Sequence, residues 1–345
     1  MVLALGAIME QEILEIPAVF ERLAGSISQI GEQVHALPLA SIDSVILVAR
    51  GTSDNAALYL KYLIETKIGI PCGMASPSVV SIYGATLRYQ KVLVIALSQS
   101  GQSPDLVGYC RAAAAGGALV LAMTNDGQSP LAQSAHTHIS LAAGAERAVA
   151  ATKSYSAQLL LSRIFVALWS GESLKIAAII AEVKKVLLEA KKIESIAQKF
   201  DFQAGITTMG RGFSYANAQE CALKIQETVK IPVASFSTAD YLHGPISSLH
   251  QESRVIFFAP SGVAAAAISN TVERAREITP HIYWIGAGYR LQDGEISLGG
   301  SGGLAEEDAT IVDSALLQLF ALFLARSAGK NPDAPLGLLK VTKTV

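Results

Sequence analysis

The sequence has few cysteines and few charged residues, and each shortage excludes a class of protein. Its three cysteines, Cys72, Cys110 and Cys221, have neither disulfide nor metal-ligand spacing, which is typical of a chain in a reducing cytoplasm. Charged residues make up only 16% of the chain, and the net charge is −2 with no basic run. A nucleic-acid partner is therefore not expected. No metal cluster and no dinucleotide fingerprint is present in the sequence, so we expect no metal and no cofactor.

Long uninterrupted apolar runs are also absent, although hydrophobic residues make up 51% of the chain and the mean hydropathy is +0.38. The most apolar stretches are Val92–Leu97, Val255–Ala259 and Leu316–Ala325. All three are far shorter than the roughly 20 residues that a membrane-spanning helix needs. The apolar N-terminus lacks a basic segment, so we predict no signal peptide. We expect a cytoplasmic protein without a membrane partner.

Buried strands that alternate with helices account for the high hydropathy. Strands are predicted at Ser44–Ala49, Val92–Leu97 and Leu119–Asn125, and each ends in polar residues. A helical pattern follows each of the first two. Alternation of this kind predicts an α/β fold with doubly wound parallel sheets. A length of 345 residues suits two such domains. Helices are also predicted at 10–24 and 26–37, ahead of the first strand.

The two halves of the chain share a sequence pattern at a constant offset of 161 residues (211 − 50). The matched positions are Arg50, Gly51 and Ser53 with Arg211, Gly212 and Ser214; Ile70 and Pro71 with Ile231 and Pro232; and Ser100 and Gly101 with Ser261 and Gly262. A single offset over strands, loops and helices predicts two tandem flavodoxin-like domains. The predicted segments are a helical lead-in (1–37), a first domain (38–170), a helical connector (171–199), a second domain (200–330) and a tail (331–345).

A cluster of hydroxyl groups follows the predicted strand Val92–Leu97. Its members are Ser98, Gln99, Ser100 and Ser103, and Thr52 with Ser53 occupy a similar loop after the first strand. At a strand end that leads into a helix, free backbone N–H groups favour an anion such as phosphate. A plain turn with a serine cap and a glycine would have the same pattern. In the second half Ala259 and Pro260 replace Ser98 and Gln99, so the sequence predicts phosphate binding by the first half and chemistry by the second.

Five further residues at three places in the chain could carry chemistry, and each place has a plain structural alternative. Glu220, Lys224 and Glu227 share one face of a predicted helix, where they form either an exposed ion-pair ladder or a desolvated base at the edge of a sheet. His243 lies in a predicted loop, and a lone histidine is commonly structural. Lys340 lies near the C-terminus, where a solvated lysine is the ordinary expectation.

Taken together, these pieces resemble the sugar isomerase (SIS) domain family, and within it the isomerase half of glucosamine-6-phosphate synthase and the amino-sugar-phosphate deaminases. The resemblance covers nearly the whole chain. The matching segments are 9–17, Gly51-Thr52-Ser53, Ser98-Gln99-Ser100-Gly101, Ala143-Gly144-Ala145-Glu146, Val149-Ala150-Ala151-Thr152-Lys153, 222–227, His243-Gly244-Pro245 and 339–342.

The resemblance implies a role for each candidate residue. Thr52, Ser53, Ser98, Gln99, Ser100 and Ser103 would hold the sugar phosphate; Val149, Ala151 and Glu220 would contact the sugar; and Glu227, His243, Lys340 and Lys224 would be catalytic. In this scheme Glu227 moves a proton between C1 and C2, His243 helps to open the sugar ring, and Lys340 lies over the open-chain carbonyl. The histidine of the family reaches the site from the partner subunit, so a homodimer is expected.

Some positions depart from the family pattern. Ala151 replaces a serine near the sugar hydroxyls, and Gln102 replaces an acid. The lead-in before Gly51 is too short for a glutamine-hydrolysing domain and has no cysteine. The expected activity is therefore a glucosamine-6-phosphate deaminase that yields fructose 6-phosphate and ammonia. The alternatives are a deaminase for galactosamine 6-phosphate or for a phosphorylated sugar–amino acid adduct, and a non-catalytic sugar-phosphate sensor.

Overall fold

The computed structural model describes residues 4–202 and 204–340. These form two compact units, each built from several separate segments of the chain. The first-sheet unit comprises the described residues within Ala18–Glu146, Lys153–Leu174 and Leu339–Val345. The second-sheet unit comprises those within Met1–Pro17, Arg147–Thr152 and Lys175–Leu338. The predicted division into five consecutive segments stays a prediction, and residues 341–345 of the predicted tail lie outside the described residues.

Three short helices precede the first strand: α1 (Ala7–Leu14), α2 (Ile16–Gly25) and α3 (Ile27–His35). The predicted single helix over 10–24 is two helices, because regular structure is interrupted at Glu15. Pro17 lies in the first turn of α2, where a missing N–H is tolerated. The predicted apolar face is confirmed, since Ile13 and Phe20 are fully buried.

The first sheet has five parallel strands in the order β2-β1-β3-β4-β5. The strands are β1 (Ser44–Val48), β2 (Cys72–Met74), β3 (Val92–Ser98), β4 (Leu119–Thr124) and β5 (Thr137–Ser140). The helices are α4 (Thr52–Leu63), α5 (Ser78–Ser81), α6 (Pro104–Ala115), α7 (Pro130–Gln133) and α8 (Lys153–Ser170). Every residue of β3 from Leu93 to Ser98 is buried, so helices cover both faces of the sheet, as predicted for a doubly wound fold.

The second sheet repeats this topology. Its strands are β6 (Ile206–Gly210), β7 (Val233–Ser237), β8 (Arg254–Phe258), β9 (Ile282–Ile285) and β10 (Ile296–Gly299). Their order β7-β6-β8-β9-β10 is that of the first sheet, and all pairs are parallel. Adding 161 to Ser44 gives 205, one residue before the start of β6. A common origin of the two halves remains a prediction.

The remaining helices belong to the second-sheet unit: α9 (Ile176–Leu187), α10 (Ala190–Lys199), α11 (Ser214–Thr228), α12 (Thr238–Leu242), α13 (Val263–Ala267), α14 (Ser269–Ile278) and α15 (Glu306–Ser327). The predicted connector consists of α9 and α10, which both pack on α15. Helix α15 extends well beyond the apolar run 316–325 and is long and apolar enough to span a membrane. However, 94% of its most apolar window is buried, as in the core helix of a folded domain.

Asp313 is a buried acid in the middle of α15. It is 1% exposed, and neither carboxylate oxygen has a hydrogen-bond partner among the described residues. Burial raises the pKa of Asp313 to about 8, while the backbone N–H of Ser301 opposes the shift without completing a hydrogen bond of normal geometry. The carboxyl group is therefore neutral in the folded protein over much of the pH range in which an exposed aspartate is ionised.

We predict that Asp313 makes the protein less stable as the pH rises. Between the ordinary value near 3.8 and the folded value near 8, the folded state binds more protons at this group than the unfolded state does. Stability from this group is therefore lost as the pH rises through that window, by on the order of 1 kcal/mol per pH unit. Asp313→Asn should gain stability relative to wild type between pH 5 and pH 8, as measured by thermal melts.

The exposed Asp293 supplies the control, and Asp293→Asn should follow the wild-type pH profile. If Asp313→Asn and wild type show parallel profiles, this account of Asp313 is wrong.

Candidate functional site

The loop after β3 is a turn in which serine hydroxyls accept hydrogen bonds from backbone N–H groups. The Ser98 hydroxyl accepts a hydrogen bond from the backbone N–H of Gly101 at 3.0 Å, and the Ser100 hydroxyl accepts one from that of Gln102 at 3.3 Å. Ser103 is the N-cap residue of α6, and its side chain makes no capping hydrogen bond. Ser100 and Gln99 are half-buried. The hydroxyl cluster predicted from the sequence therefore lies between the end of β3 and the start of α6.

Gly101 is required in this loop for two reasons. Its φ of +63° is in the left-handed region, which disfavours residues with a side chain. A Cβ atom at this position would also lie 2.2 Å from the Ser129 hydroxyl, far inside contact distance. Glycine thus permits both the backbone turn and the close approach of α7, whose N-cap is Ser129.

The loop after β1 lies beside the loop after β3, because the two strands pair in parallel with Val48 opposite Ala96. Gly51 has a φ of +54° and faces open space, and Thr52 begins α4. The Ser53 hydroxyl is buried and accepts a hydrogen bond of 2.9 Å from the Gln158 side chain on α8. The structure therefore brings the two loops predicted to bind phosphate to the same edge of the sheet. We call these loops, with Thr52, Ser53 and 98–103, the first cradle.

An ion pair that the sequence analysis did not predict joins these two loops. The Arg50 guanidinium donates to the Asp105 carboxylate through Nε at 2.8 Å and through Nη2 at 2.7 Å. The Asp105 side chain is 1% exposed, whereas that of Arg50 is 46% exposed. Asp105 also lies in the first turn of α6, where an acid is favourable. The sequence does contain an arginine just before Gly51 and an acid shortly after Ser103. Nothing in it pairs these two residues, because they are 55 positions apart.

Lys340 is paired with a buried carboxylate in the first-sheet unit. Its Nζ lies 2.8 Å from Oε2 of Glu146, whose side chain is fully buried. Glu146 also accepts two hydrogen bonds from Ser154, which donates its backbone N–H at 3.0 Å and its hydroxyl at 2.7 Å. The same carboxylate thus binds the first turn of α8 and the tail lysine. The solvated-tail alternative for Lys340 is wrong, since its side chain is only 23% exposed.

Glu220, Lys224 and Glu227 form a largely buried charge cluster on α11 in the second-sheet unit. The Lys224 side chain is 0% exposed, lies 3.4 Å from the carboxylate of Glu220 and donates a short hydrogen bond to Glu227. Burial alone would lower the pKa of Lys224, but the two carboxylates outweigh it and raise the pKa. The side chain of Glu227 is 24% exposed, whereas that of Glu220 is fully buried. The exposed-ladder alternative is therefore wrong.

The other predicted residues of this unit occupy a loop and a helix end. His243 follows α12 and is exposed, and Gly244 after it has a φ of +143°. Val149 and Ala151 are half-buried in the segment before α8, where the backbone N–H of Val149 donates to the carbonyl oxygen of Asp333 at 3.1 Å. Among residues 4–202 and 204–340, no group of three or more histidine, cysteine or acidic side chains could hold a metal ion.

Comparison with known proteins identifies the family. A sequence model described as the SIS domain matches residues 38–168 and 203–289, more than half of the chain. The chain belongs to the SIS domain family. A protein from Silicibacter pomeroyi DSS-3 assigned as a phosphosugar isomerase is 31% identical, with a TM-score of 0.80 and coverage of 94% of this chain and 99% of that one.

Two further proteins are similar to this SIS chain over nearly its whole length. A glutamine–fructose-6-phosphate aminotransferase (isomerizing) from Pyrococcus horikoshii is 29% identical over 341 residues, which are 96% of this chain and 57% of that protein. The SIS chain thus spans little more than half the length of this relative. The fold is also shared with glucosamine-6-phosphate deaminase from Thermotoga maritima, at 19% identity, a TM-score of 0.78 and 98% coverage of each chain.

The glycine in the cradle gives a matched pair of substitutions. Gly101→Ala should lower the free energy of unfolding by about 2 kcal/mol or more, because it adds both a strained φ and a clash with Ser129. Gly108→Ala, inside α6 with open space around its Cα, should instead raise it by about 0.5–1 kcal/mol. Urea unfolding of both variants tests this, and a neutral Gly101→Ala would show that the loop does not need glycine.

A second prediction concerns the buried cation of the SIS chain. Lys224→Met leaves Glu220 buried without its counter-ion and should cost about 3–5 kcal/mol of stability. The double variant Glu220→Gln/Lys224→Met should recover part of that loss. Because the pKa of Lys224 is raised above 10.5, the stabilisation should persist below that pH and decline only as the pH rises further. Thermal melts across alkaline pH measure this, and a Lys224→Met variant as stable as wild type would contradict it.

Proposed function

We propose that this SIS chain is an amino-sugar-phosphate deaminase that converts glucosamine 6-phosphate and water into fructose 6-phosphate and ammonia. Family membership supports sugar-phosphate chemistry, and the Thermotoga relative with the same fold is named for this reaction. The observation that carries the proposal is the charge cluster on α11, where a buried ammonium fixes the partly exposed carboxylate of Glu227.

Phosphate binding is assigned to the two loops of the first-sheet unit. The neutral donors at the carboxyl ends of β1 and β3 are five hydroxyl groups and one amide. They belong to Thr52, Ser53, Ser98, Ser100, Ser103 and Gln99. Ligands of doubly wound sheets bind at such an edge. The open space at Gly51 leaves room for the phosphate group near the backbone of this loop. The ion pair between Arg50 and Asp105 holds the two loops together.

Proton transfer is assigned to Glu227. In the open-chain substrate, a base removes the proton from C2 and returns one to C1, so that the C2 amine becomes a ketimine. Water then adds to the C2 carbon, and ammonia leaves to give the ketone. Glu220 and Glu227 share a single ammonium, so the cluster carries a formal charge of −1 when all three groups are ionised. Glu227 can therefore take up a proton while Lys224 stays paired with Glu220.

Lys340 is assigned a charge-stabilising role. Its Nζ is bound to Glu146, so an imine with the substrate carbonyl would require this ion pair to break. As an ammonium, Lys340 can stabilise negative charge that develops on the carbonyl oxygen. Val149, Ala151 and Glu220 remain proposed sugar contacts, although the complete burial of Glu220 favours an indirect role through Lys224.

His243 is assigned to ring opening in the partner subunit of a homodimer. Its exposed position at the end of α12 leaves the imidazole accessible to a second chain. Sedimentation analysis tests the dimer. Mixing inactive Glu227→Gln protein with inactive His243→Ala protein tests the shared site, because mixed dimers would contain one intact site and regain activity. No recovery after verified subunit exchange would assign His243 to its own chain.

The activity is tested by measuring ammonia and ketose phosphate after incubation with a panel of phosphorylated amino sugars. Glucosamine 6-phosphate should give both products in equal amounts. Turnover of galactosamine 6-phosphate or of a phosphorylated sugar–amino acid adduct instead would change the substrate but keep the chemistry. Thermal stabilisation by these compounds without turnover of any of them would mean that the protein is a sugar-phosphate sensor and not an enzyme.

Glu227→Gln should abolish turnover while substrate still binds, because the amide keeps the shape of the side chain but cannot accept the C2 proton. The expected loss in kcat is at least about 100-fold, with substrate-induced thermal stabilisation retained. The exposed Glu252 gives the control, and Glu252→Gln should keep the wild-type rate. An unchanged kcat in Glu227→Gln would mean that another group moves the proton.

A further inference from the structure

The loops of the second-sheet unit that correspond to the phosphate cradle contain a carboxylate from the chain itself. Oε2 of Glu306 accepts a hydrogen bond of 3.1 Å from the backbone N–H of Ala264. A Cβ atom at Gly262 would lie 2.2 Å from Oε2, and one at Gly212 would lie 3.2 Å from Oε1. The Glu306 side chain therefore contacts the loop after β6 and the loop after β8 at the same time.

These two loops match the two loops of the first cradle. Subtracting the offset of 161 from Gly212 and Gly262 gives Gly51 and Gly101. Strands β6 and β8 are neighbours, with Gly210 opposite Phe258, just as β1 and β3 are neighbours in the first sheet. At Gly51, however, a Cβ atom would meet nothing within 4 Å. The position next to Gly51 is open, whereas the corresponding position next to Gly212 is occupied by the side chain of Glu306.

The second pair of loops has also lost donors for an external anion. Pro260 has no backbone N–H at the position of Gln99, and Ala259 has no hydroxyl at the position of Ser98. The hydroxyl of Ser214, which corresponds to Ser53, points to the carbonyl oxygens of Arg211 at 2.9 Å and of Phe258 at 3.0 Å. After Gly262, the backbone N–H of Ala264 donates to the Glu306 carboxylate, and that of Val263 also faces it.

The helix after the last strand of each sheet begins with a residue of opposite charge in the two units. Helix α8 of the first-sheet unit begins at Lys153, whereas α15 of the second-sheet unit begins at Glu306. Burial raises the pKa of Glu306, the N–H groups of Ala264 and Val263 oppose this shift, and Glu307 adds to it. The two backbone donors act in favour of a negatively charged group at this position, whereas burial and Glu307 act against it.

We propose that the Glu306 carboxylate is an internal ligand of the second cradle and occupies the place of an oxyanion there. A carboxylate and a phosphate both present oxygens that accept hydrogen bonds from backbone N–H groups, so either can satisfy the same loops. The chain then takes up external phosphate in its first-sheet unit only. Removal of the carboxylate creates a second site for phosphate.

The test compares wild type, Glu306→Ala and Glu306→Gln by thermal melts in phosphate and in chloride of equal ionic strength. The first cradle is present in all three proteins, so only differences from wild type are informative. In Glu306→Ala, phosphate should raise the Tm by about 3 °C or more beyond its effect on wild type. Glu306→Gln keeps an acceptor for the N–H of Ala264 and should respond as wild type does.

Equilibrium dialysis with labelled inorganic phosphate should show one more bound phosphate per chain in Glu306→Ala than in wild type. If Glu306→Ala folds only in phosphate and not in chloride, the proposal is supported. The proposal is overturned by equal phosphate effects in wild type and Glu306→Ala, or by a Glu306→Ala protein that folds in neither buffer while Glu306→Gln folds in both.

Discussion

The parallel pairing of neighbouring strands determines where the candidate functional loops of this protein lie. Val48 and Ala96 are opposite each other at the ends of β1 and β3, so the loops that follow them begin side by side. Gly210 and Phe258 have the same relation in β6 and β8. Each unit therefore places two glycine-containing loops at one edge of its sheet, and in the second-sheet unit the Glu306 side chain contacts both loops.

Charged residues are scarce in this chain, yet several are buried and paired. Asp105 binds Arg50, Glu146 binds Lys340, and Lys224 lies between two carboxylates. Buried ion pairs add little net stability, because desolvation offsets most of their attraction, but breaking one is costly. Their value here is positional: each pair holds a loop, a helix terminus or a side chain in one arrangement. This arrangement suits a protein that must present a few polar groups to a small substrate.

The sequence predicted local features well and distant contacts poorly. Strands such as β3 and β4 were located within one residue, because their apolar runs end abruptly in polar residues. The hydroxyls around Ser100 were correctly placed at a strand end. The break in the lead-in at Glu15 was missed, because the apolar face continues across it. The partner of Lys340 could not be identified, because Glu146 is 194 positions away and only the folded chain brings them together.

Anchoring of Lys340 to Glu146 links the tail to an interior helix. The carboxylate that holds the tail also accepts hydrogen bonds from Ser154 in the first turn of α8, a helix that is buried along most of its length. Proteolysis just before Lys340 would remove the Lys340 ammonium from this buried carboxylate beside the start of α8. Loss of Lys340 by trimming during protein production would therefore weaken the interior of the first-sheet unit.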